Sequence, residues 1–251
     1  MTAPAAGGFD DALRVVADVA GWMTDAQARR LWDRAAAVPA GGRIVEIGSY
    51  HGRSAIVLGR AAAPTVEVVA IDPHAGNDRG PQEIHGSADE GERDHQAFLA
   101  NLERGGVRGR VRHVRAASQR ASAAVDGPID LLYIDGAHRY RPARDDIRLW
   151  GARVADGGTM LIHDSFCSVG VTAAILTELL ARGDLRYVDR VGSLAEYRRA
   201  TPRPGDRWRS AARQLAQLPY FARSVLVKVL LVLRLRPLTR LLGHRSGDWP
   251  Y

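Results

Sequence analysis

Cysteine is nearly absent from this 251-residue chain: the single residue Cys167 excludes any internal disulfide. A secretory signal is also missing, because MTAPAAGG has neither the basic end nor the apolar run of such a segment, so a cytoplasmic protein is expected. No apolar run reaches the roughly 20 residues that a membrane span needs. The stretch VLVKVLLVLRLR near the carboxyl end is interrupted by Lys228, Arg234 and Arg236, so no transmembrane helix is expected. Internal repeats are absent as well, which leaves out solenoids and propellers.

What is present is ordinary globular composition, 46% hydrophobic and 25% charged, in a length that suits one α/β domain with an appendage. The net charge of +7 is unevenly spread. Residues 201–251 carry ten Lys or Arg against two Asp or Glu, while the first 200 residues sum to −1. Basic character therefore belongs to a tail, and nucleic acid is not an expected partner of the body. The expected division is a body over 1–200, opened by two helices near Leu13–Ala20 and Thr24–Ala37, and a helical tail over 201–251.

From Arg43 onward, strand-like runs alternate with helical ones. RIVEI, VEVVAI, RVRHV, IDLLYI and GTMLIH are each followed by a helical pattern, which implies right-handed crossovers and a mostly parallel sheet covered on both faces. Two further runs, LRYVDRV and SLAEYRR, are separated only by Gly192, which allows an antiparallel hairpin and no further crossover. The fold class expected is a three-layer α/β sandwich on a seven-stranded sheet with a terminal hairpin. Ligands of such sheets bind beyond the carboxyl ends of the strands.

The first strand runs into Glu46-Ile47-Gly48-Ser49-Tyr50-His51-Gly52-Arg53-Ser54, a glycine turn where a cofactor could approach the backbone. The second strand ends in Ile71-Asp72-Pro73, with a carboxylate able to accept two ribose hydroxyls. The third glycine of the dinucleotide fingerprint is lacking, which speaks against a dehydrogenase. EIGSYHGRSA, Asp72 and Ala116-Ala117-Ser118-Gln119 together resemble the class I S-adenosylmethionine-dependent catechol O-methyltransferases and their relatives. The resemblance implies Glu46, Gly48, Ser49, Gly52 and Ser54 near the methionine moiety, Asp72 at ribose, Ser118 and Gln119 at adenine, and Asp135 at the reacting end.

The fourth strand ends Asp135-Gly136-Ala137-His138 and the fifth His163-Asp164-Ser165. Terminal carboxylates on neighbouring strands about 4.8 Å apart can share one hard cation, magnesium, or manganese if His163 also binds. The Asp-x-x-His step resembles the macrolide-sugar O-methyltransferases more closely, and implies His138 as general base. His163 stands where those enzymes have an acid, so the third metal ligand stays open between His163 and Ser165.

These residues describe transfer of a methyl group to a metal-activated hydroxyl. The acceptor expected is a sugar or glycosylated natural product; a catechol-type phenol and a non-catalytic protein docking through its tail are the alternatives. The loop Pro73–Arg93, with His74, Asp78, Glu83, His85, Asp89 and Glu90, and an aromatic content of only 6% favour the polar acceptor. The tail over 206–242 reads as two helices broken at Pro219, serving a peripheral membrane contact or a subunit contact within a homo-oligomer. On a single helical wheel its cations form no common face.

Overall fold

The computed structural model describes residues 7–76 and 86–244. Two helices, α1 (Phe9–Val16) and α2 (Asp25–Ala36), precede the sheet, and Thr24 with Gln27 forms a capping box that starts α2. The strands are β1 (Arg43–Ile47), β2 (Glu67–Ile71), β3 (Val111–Val114), β4 (Ile129–Ile134), β5 (Val154–Ile162), β6 (Leu185–Val191) and β7 (Leu194–Arg199). Between them lie α3 (Arg53–Ala61), α4 (Ala88–Arg104), α5 (Ser118–Ala121), α6 (Tyr140–Gly151) and α7 (Val169–Leu179).

The strand order is β3-β2-β1-β4-β5-β7-β6, with β7 alone antiparallel to its neighbours. This is the seven-stranded, mostly parallel sheet with a terminal hairpin that the alternating pattern predicts. Side chains alternate between its faces with the period of two that a pleated strand imposes. Ile44, Val68, Leu131, Tyr133 and Leu161 pack beneath α1–α4, whereas Val45, Val69, Leu132, Ile134 and Ile162 pack beneath α6 and α7 with Trp150.

Parallel register then sets the level of the functional residues. Ile47 pairs with Ile71 and with Ile134, and Ile134 pairs with Ile162. The next backbone amides continue the ladder: Gly48 N donates to Ile71 O, Asp135 N to Ile47 O, and His163 N to Ile134 O, at 2.8–2.9 Å. Gly48, Asp135 and His163 thus stand side by side at one sheet edge, and Asp72 joins them through a bond to Val114 O at 3.2 Å.

Three boundaries differ from the sequence expectation. α4 begins at Ala88, where Ser87 and Glu90 form a capping box, so the loop from Pro73 is shorter than expected; Asp78, Glu83 and His85 lie outside the described residues. β5 starts at Val154, before the GTMLIH run, because Val154 pairs with Ile129 across an irregularity in register. The tail is two helices, as expected, α8 (Asp206–Leu215) and α9 (Leu218–Val232); the break falls at 216–217, and Pro219 sits in the first turn of α9, where a missing N–H is tolerated.

The tail's apolar length differs from the expectation. The stretch Asp206–Val232 is helical with only a short break and, by length and composition, is long and apolar enough to cross a membrane. α8 is nevertheless fastened to the hairpin: Arg186 pairs with Asp206 at 2.7 Å, Ser210 Oγ accepts from Tyr187 N at 3.0 Å, and Tyr197 donates to Gln214 at 3.1 Å. α9 closes with Arg234 in the left-handed region, φ 59°, and Leu235 N bonded back to Leu230 O, after which α10 (Arg236–Thr239) follows.

Candidate active site

Gly48 turns the chain at the end of β1 with φ 84°, a conformation glycine reaches without strain. A Cβ there would meet Asp135 O at 2.1 Å, so the ends of β1 and β4 approach as closely as bare backbone permits. In this structure the residue therefore brings the glycine turn against the backbone of the carboxylate on β4. Tyr50 (φ 43°) continues the turn, its ring stacked between His51 and Trp22 at centroid distances of 3.9 and 5.6 Å. Trp22 was not legible as a site residue, because nothing local marks an exposed aromatic before α2 as belonging to a turn 28 residues away.

Asp72 organises this turn. Its Oδ2 accepts from the backbone N–H of both Ser49 and Tyr50 at 2.9 Å, and its Oδ1 accepts from His74 N at 2.8 Å. Three of the carboxylate's roughly four lone-pair sites are thus taken by backbone donors, which leaves one on Oδ1 for a ribose hydroxyl. Glu46 lies wholly buried and accepts a short bond from Ser54 Oγ, while its Oε2 has no hydrogen-bond partner. Burial pushes its carboxyl up to about 8, and the hydroxyls of Ser54 and Ser49 offset this only in part. A buried acceptor without a partner is costly unless a ligand supplies a donor.

Ser118 is buried at the start of α5 and donates a short bond to Asp146 on α6; Gln119 beside it is exposed. Burial raises Asp146 to about 6 despite that bond. Asp146 was missed, although a signal exists: it shares the buried stripe Ala143, Ile147 and Trp150, where an acid breaks the helical pattern.

The ends of β4 and β5 form the densest polar group. Nε2 of His138 lies 2.8 Å from Oδ2 of Asp164, and Nδ1 of His163 lies 3.2 Å from Oδ1 of Asp135 and 3.6 Å from Oδ2 of Asp164. Tyr133 donates to Asp135 Oδ2 at 2.8 Å, and Cys167 Sγ to Asp164 Oδ1 at 3.2 Å. Neither ring nitrogen of the buried His163 has an aligned hydrogen-bond partner. Burial disfavours a charge on His138 and on His163, yet the carboxylates prevail: Asp164 raises His138, and Asp135 with Asp164 holds His163 well above its ordinary value. The two imidazoles in turn hold buried Asp164 well below the usual carboxylate range.

Asp164 and Phe166 both adopt φ 55°, a region that costs a non-glycine residue about 1–2 kcal/mol. The chain between β5 and α7 is bent by them so that Asp164 points across to β4, and α7 starts only at Val169 with Ser168 before it. Asp164 is thus no helix cap of the kind its sequence position allows. Gly170 completes the contact, since a Cβ there would meet His138 O at 2.1 Å. Ser165 Oγ is buried and donates to Ile162 O at 2.8 Å.

Among the described residues, Asp135, His138 and Asp164 can each offer one ligand atom within 4.8 Å of the others. A small cleft lined by Asp135, Gly136, His138, Ile147, His163 and Val171 opens beside them. Larger concavities near Asp10 and Arg14 or along Arg198–Arg203 gather no such set.

Comparison with known proteins gives this geometry a context. Residues 45–165 match the model of a family described as a methyltransferase domain. The O-methyltransferase TomG from Streptomyces achromogenes, solved with SAM and involved in tomaymycin synthesis, is similar at 18% identity and a TM-score of 0.55, covering 77% of this chain and 89% of its own. An O-methyltransferase from Bacillus cereus, solved with SAH, is similar at 17% identity and a TM-score of 0.54 over 76% of this chain and 90% of its own. CalS11, a calicheamicin methyltransferase, matches at 17% identity and a TM-score of 0.51 over 76% and 90%. At these identities the solved structures establish the shared fold, and the matched segment holds Glu46, Asp72, Ser118, Asp135, His138 and Asp164 together.

Proposed function

We propose that this chain, which has the class I methyltransferase fold and a methyltransferase domain at residues 45–165, transfers a methyl group from S-adenosylmethionine to a hydroxyl of a sugar or glycosylated natural product. The observation that carries the reading is the pairing of Asp135 and Asp164 with His138 and His163 at the ends of adjacent parallel strands.

The residues present fit the methyl donor. Glu46 offers a buried acceptor without a partner, suited to a cationic amino group, and Asp72 keeps one lone pair, on Oδ1, for a ribose hydroxyl. Ser118 and Gln119 stand at the adenine end. S-adenosylmethionine supplies an electrophilic methyl group on a sulfonium, and TomG is solved with this molecule.

The residues also fit a divalent cation. Asp135 and Asp164 present oxygens, and His163 presents a nitrogen 3.2 Å from Asp135 and 3.6 Å from Asp164. Magnesium suits the oxygens, and manganese the set with an imidazole. A cation there supplies Lewis-acid stabilisation of a developing alkoxide. His138, held by the bond from its Nε2 to Asp164, takes the hydroxyl proton at Nδ1. Because His138 also falls within ligand distance of Asp135 and Asp164, a second reading makes it the nitrogen donor. Metal titration separates the two: base duty alone leaves metal affinity intact in His138→Ala and lost in His163→Ala.

The polar residues around the site and the resemblance to macrolide-sugar enzymes support a sugar hydroxyl over a phenol. Incubating the protein with S-adenosylmethionine, magnesium and a panel of glycosides and catechols tests this choice. Methyl ethers on glycosides support it, and turnover confined to catechols overturns it.

A further inference from the structure

α9 presents two unlike faces. On one, Tyr220 and Phe221 pack against the core, Ser224 and Val227 are fully buried, and Lys228 Nζ donates to Cys167 O at 2.9 Å. Lys228 is the one lysine of the sequence, and it ties the helix to the loop that carries Asp164. The opposite face bears Leu226, Val229 and Leu233, 45–60% exposed. The apolar exposure continues from Trp208 (67%) on α8 to Leu238 and Leu241 (82%) beyond α9.

The same segment is free of acids: from Arg207 to His244 the sequence holds eight Arg or Lys and no Asp or Glu. The left-handed turn at Arg234 ends α9, so Arg234, Arg236 and Arg240 follow a new path and are exposed beside Leu233, Leu235, Leu238 and Leu241. A wheel drawn through one continuous helix scatters these cations, and the bend removes the basis for that projection.

We infer that the outer face of α8, α9 and α10 is a docking surface for an anionic lipid bilayer. Apolar side chains surrounded by arginines, with an exposed tryptophan, match the composition of helices that lie in a membrane interface. Charge complementarity selects this occupant over a second copy, because an isologous contact would set two acid-free basic surfaces against each other. The attachment to the body selects surface docking over a span: Tyr220 and Phe221 pack against the core and Lys228 holds Cys167 O, while Leu226 and Val229 face outward.

Co-sedimentation of the purified full chain with vesicles tests the inference without recourse to turnover, so its outcome is independent of the proposed activity. The chain should bind vesicles containing phosphatidylglycerol, bind pure phosphatidylcholine weakly, and be released by salt. Replacing Leu226, Val229 and Leu233 by Ser, or Arg234, Arg236 and Arg240 by Gln, should each weaken binding at least about tenfold. Circular dichroism and S-adenosylmethionine affinity should not change in these variants. Trp208→Phe should remove most of the fluorescence blue shift on vesicle binding. Absence of binding, or binding unaltered in both triple variants, overturns the inference. So does a chain that dimerises through this face, shown by dissociation of the Ser variant, without binding vesicles.

Discussion

Nε2 of His138 and Oδ2 of Asp164 lie 2.8 Å apart, joining the loop after β4 to the end of β5. Asp164 reaches this position through a left-handed backbone, and Gly170 lets α7 come close behind His138. Strain of that kind persists only where surrounding packing fixes it, and here it aims a carboxylate at an imidazole.

Asp164→Asn should therefore impair catalysis more than binding. The amide cannot hold the imidazole through a charge-assisted bond, and loss of positioned base catalysis lowers kcat by roughly 10²–10⁴-fold. Calorimetry should find S-adenosylmethionine affinity within about threefold of the parent, since Asp164 follows β5 whereas Glu46 and Asp72 belong to β1 and the end of β2, with β4 between. An equal loss in kcat and in donor affinity would show a general structural role instead.

Glu46 gives a pH dependence whose sign follows from burial. Its folded-state value of about 8 lies above the ordinary 4.5, so between these values the folded chain holds a proton that the unfolded chain has released. Stability of the ligand-free protein from this group is greatest below the unfolded value and declines as pH rises toward 8, with a slope approaching about 1.4 kcal/mol per pH unit. Glu46→Gln should flatten that decline in urea titrations between pH 5 and 8, while weakening S-adenosylmethionine binding at least about tenfold. A parent protein whose stability rises over this range, with the same slope in the variant, would contradict the assignment.

Gly48→Ala should be severely destabilising. The new Cβ would stand 2.1 Å from Asp135 O at a φ of 84°, where neither backbone can yield without parting β1 from β4. A loss of roughly 2–4 kcal/mol in chemical denaturation is expected. A change under about 0.5 kcal/mol would mean that the strand ends are less closely joined.

Ser118→Ala should remove the hydroxyl that Asp146 accepts and leave a buried carboxyl without that donor, costing about 1–3 kcal/mol. Adding Asp146→Leu should recover much of this stability without recovering donor affinity. Thermal melts and calorimetry on the two variants read these effects separately, and full stability in Ser118→Ala alone would refute the role given to the pair.

The sheet was legible because strand runs, glycine turns and a hairpin too short for a crossover leave little topological freedom. Its register then places Gly48, Asp72, Asp135 and His163 together, which is why motifs far apart in sequence could be read as one site. Contacts formed through side chains on other elements were not legible. Asp146 meets Ser118 only once α6 packs beside α5, and the His138–Asp164 pair depends on a loop bent through Asp164 and Phe166. The two tail helices were legible from Pro219, which starts α9, whereas the tail's apolar length was underread because Lys228 and the arginines interrupt the run.

The most direct test of the central claim measures methyl transfer from S-adenosylmethionine to an accepted glycoside with magnesium, after EDTA, and after magnesium is restored. The account predicts loss in EDTA, recovery on restoration, and neither activity nor metal response in Asp135→Ala, with donor binding retained throughout. Full turnover in excess EDTA, or undiminished activity of Asp135→Ala, would contradict it.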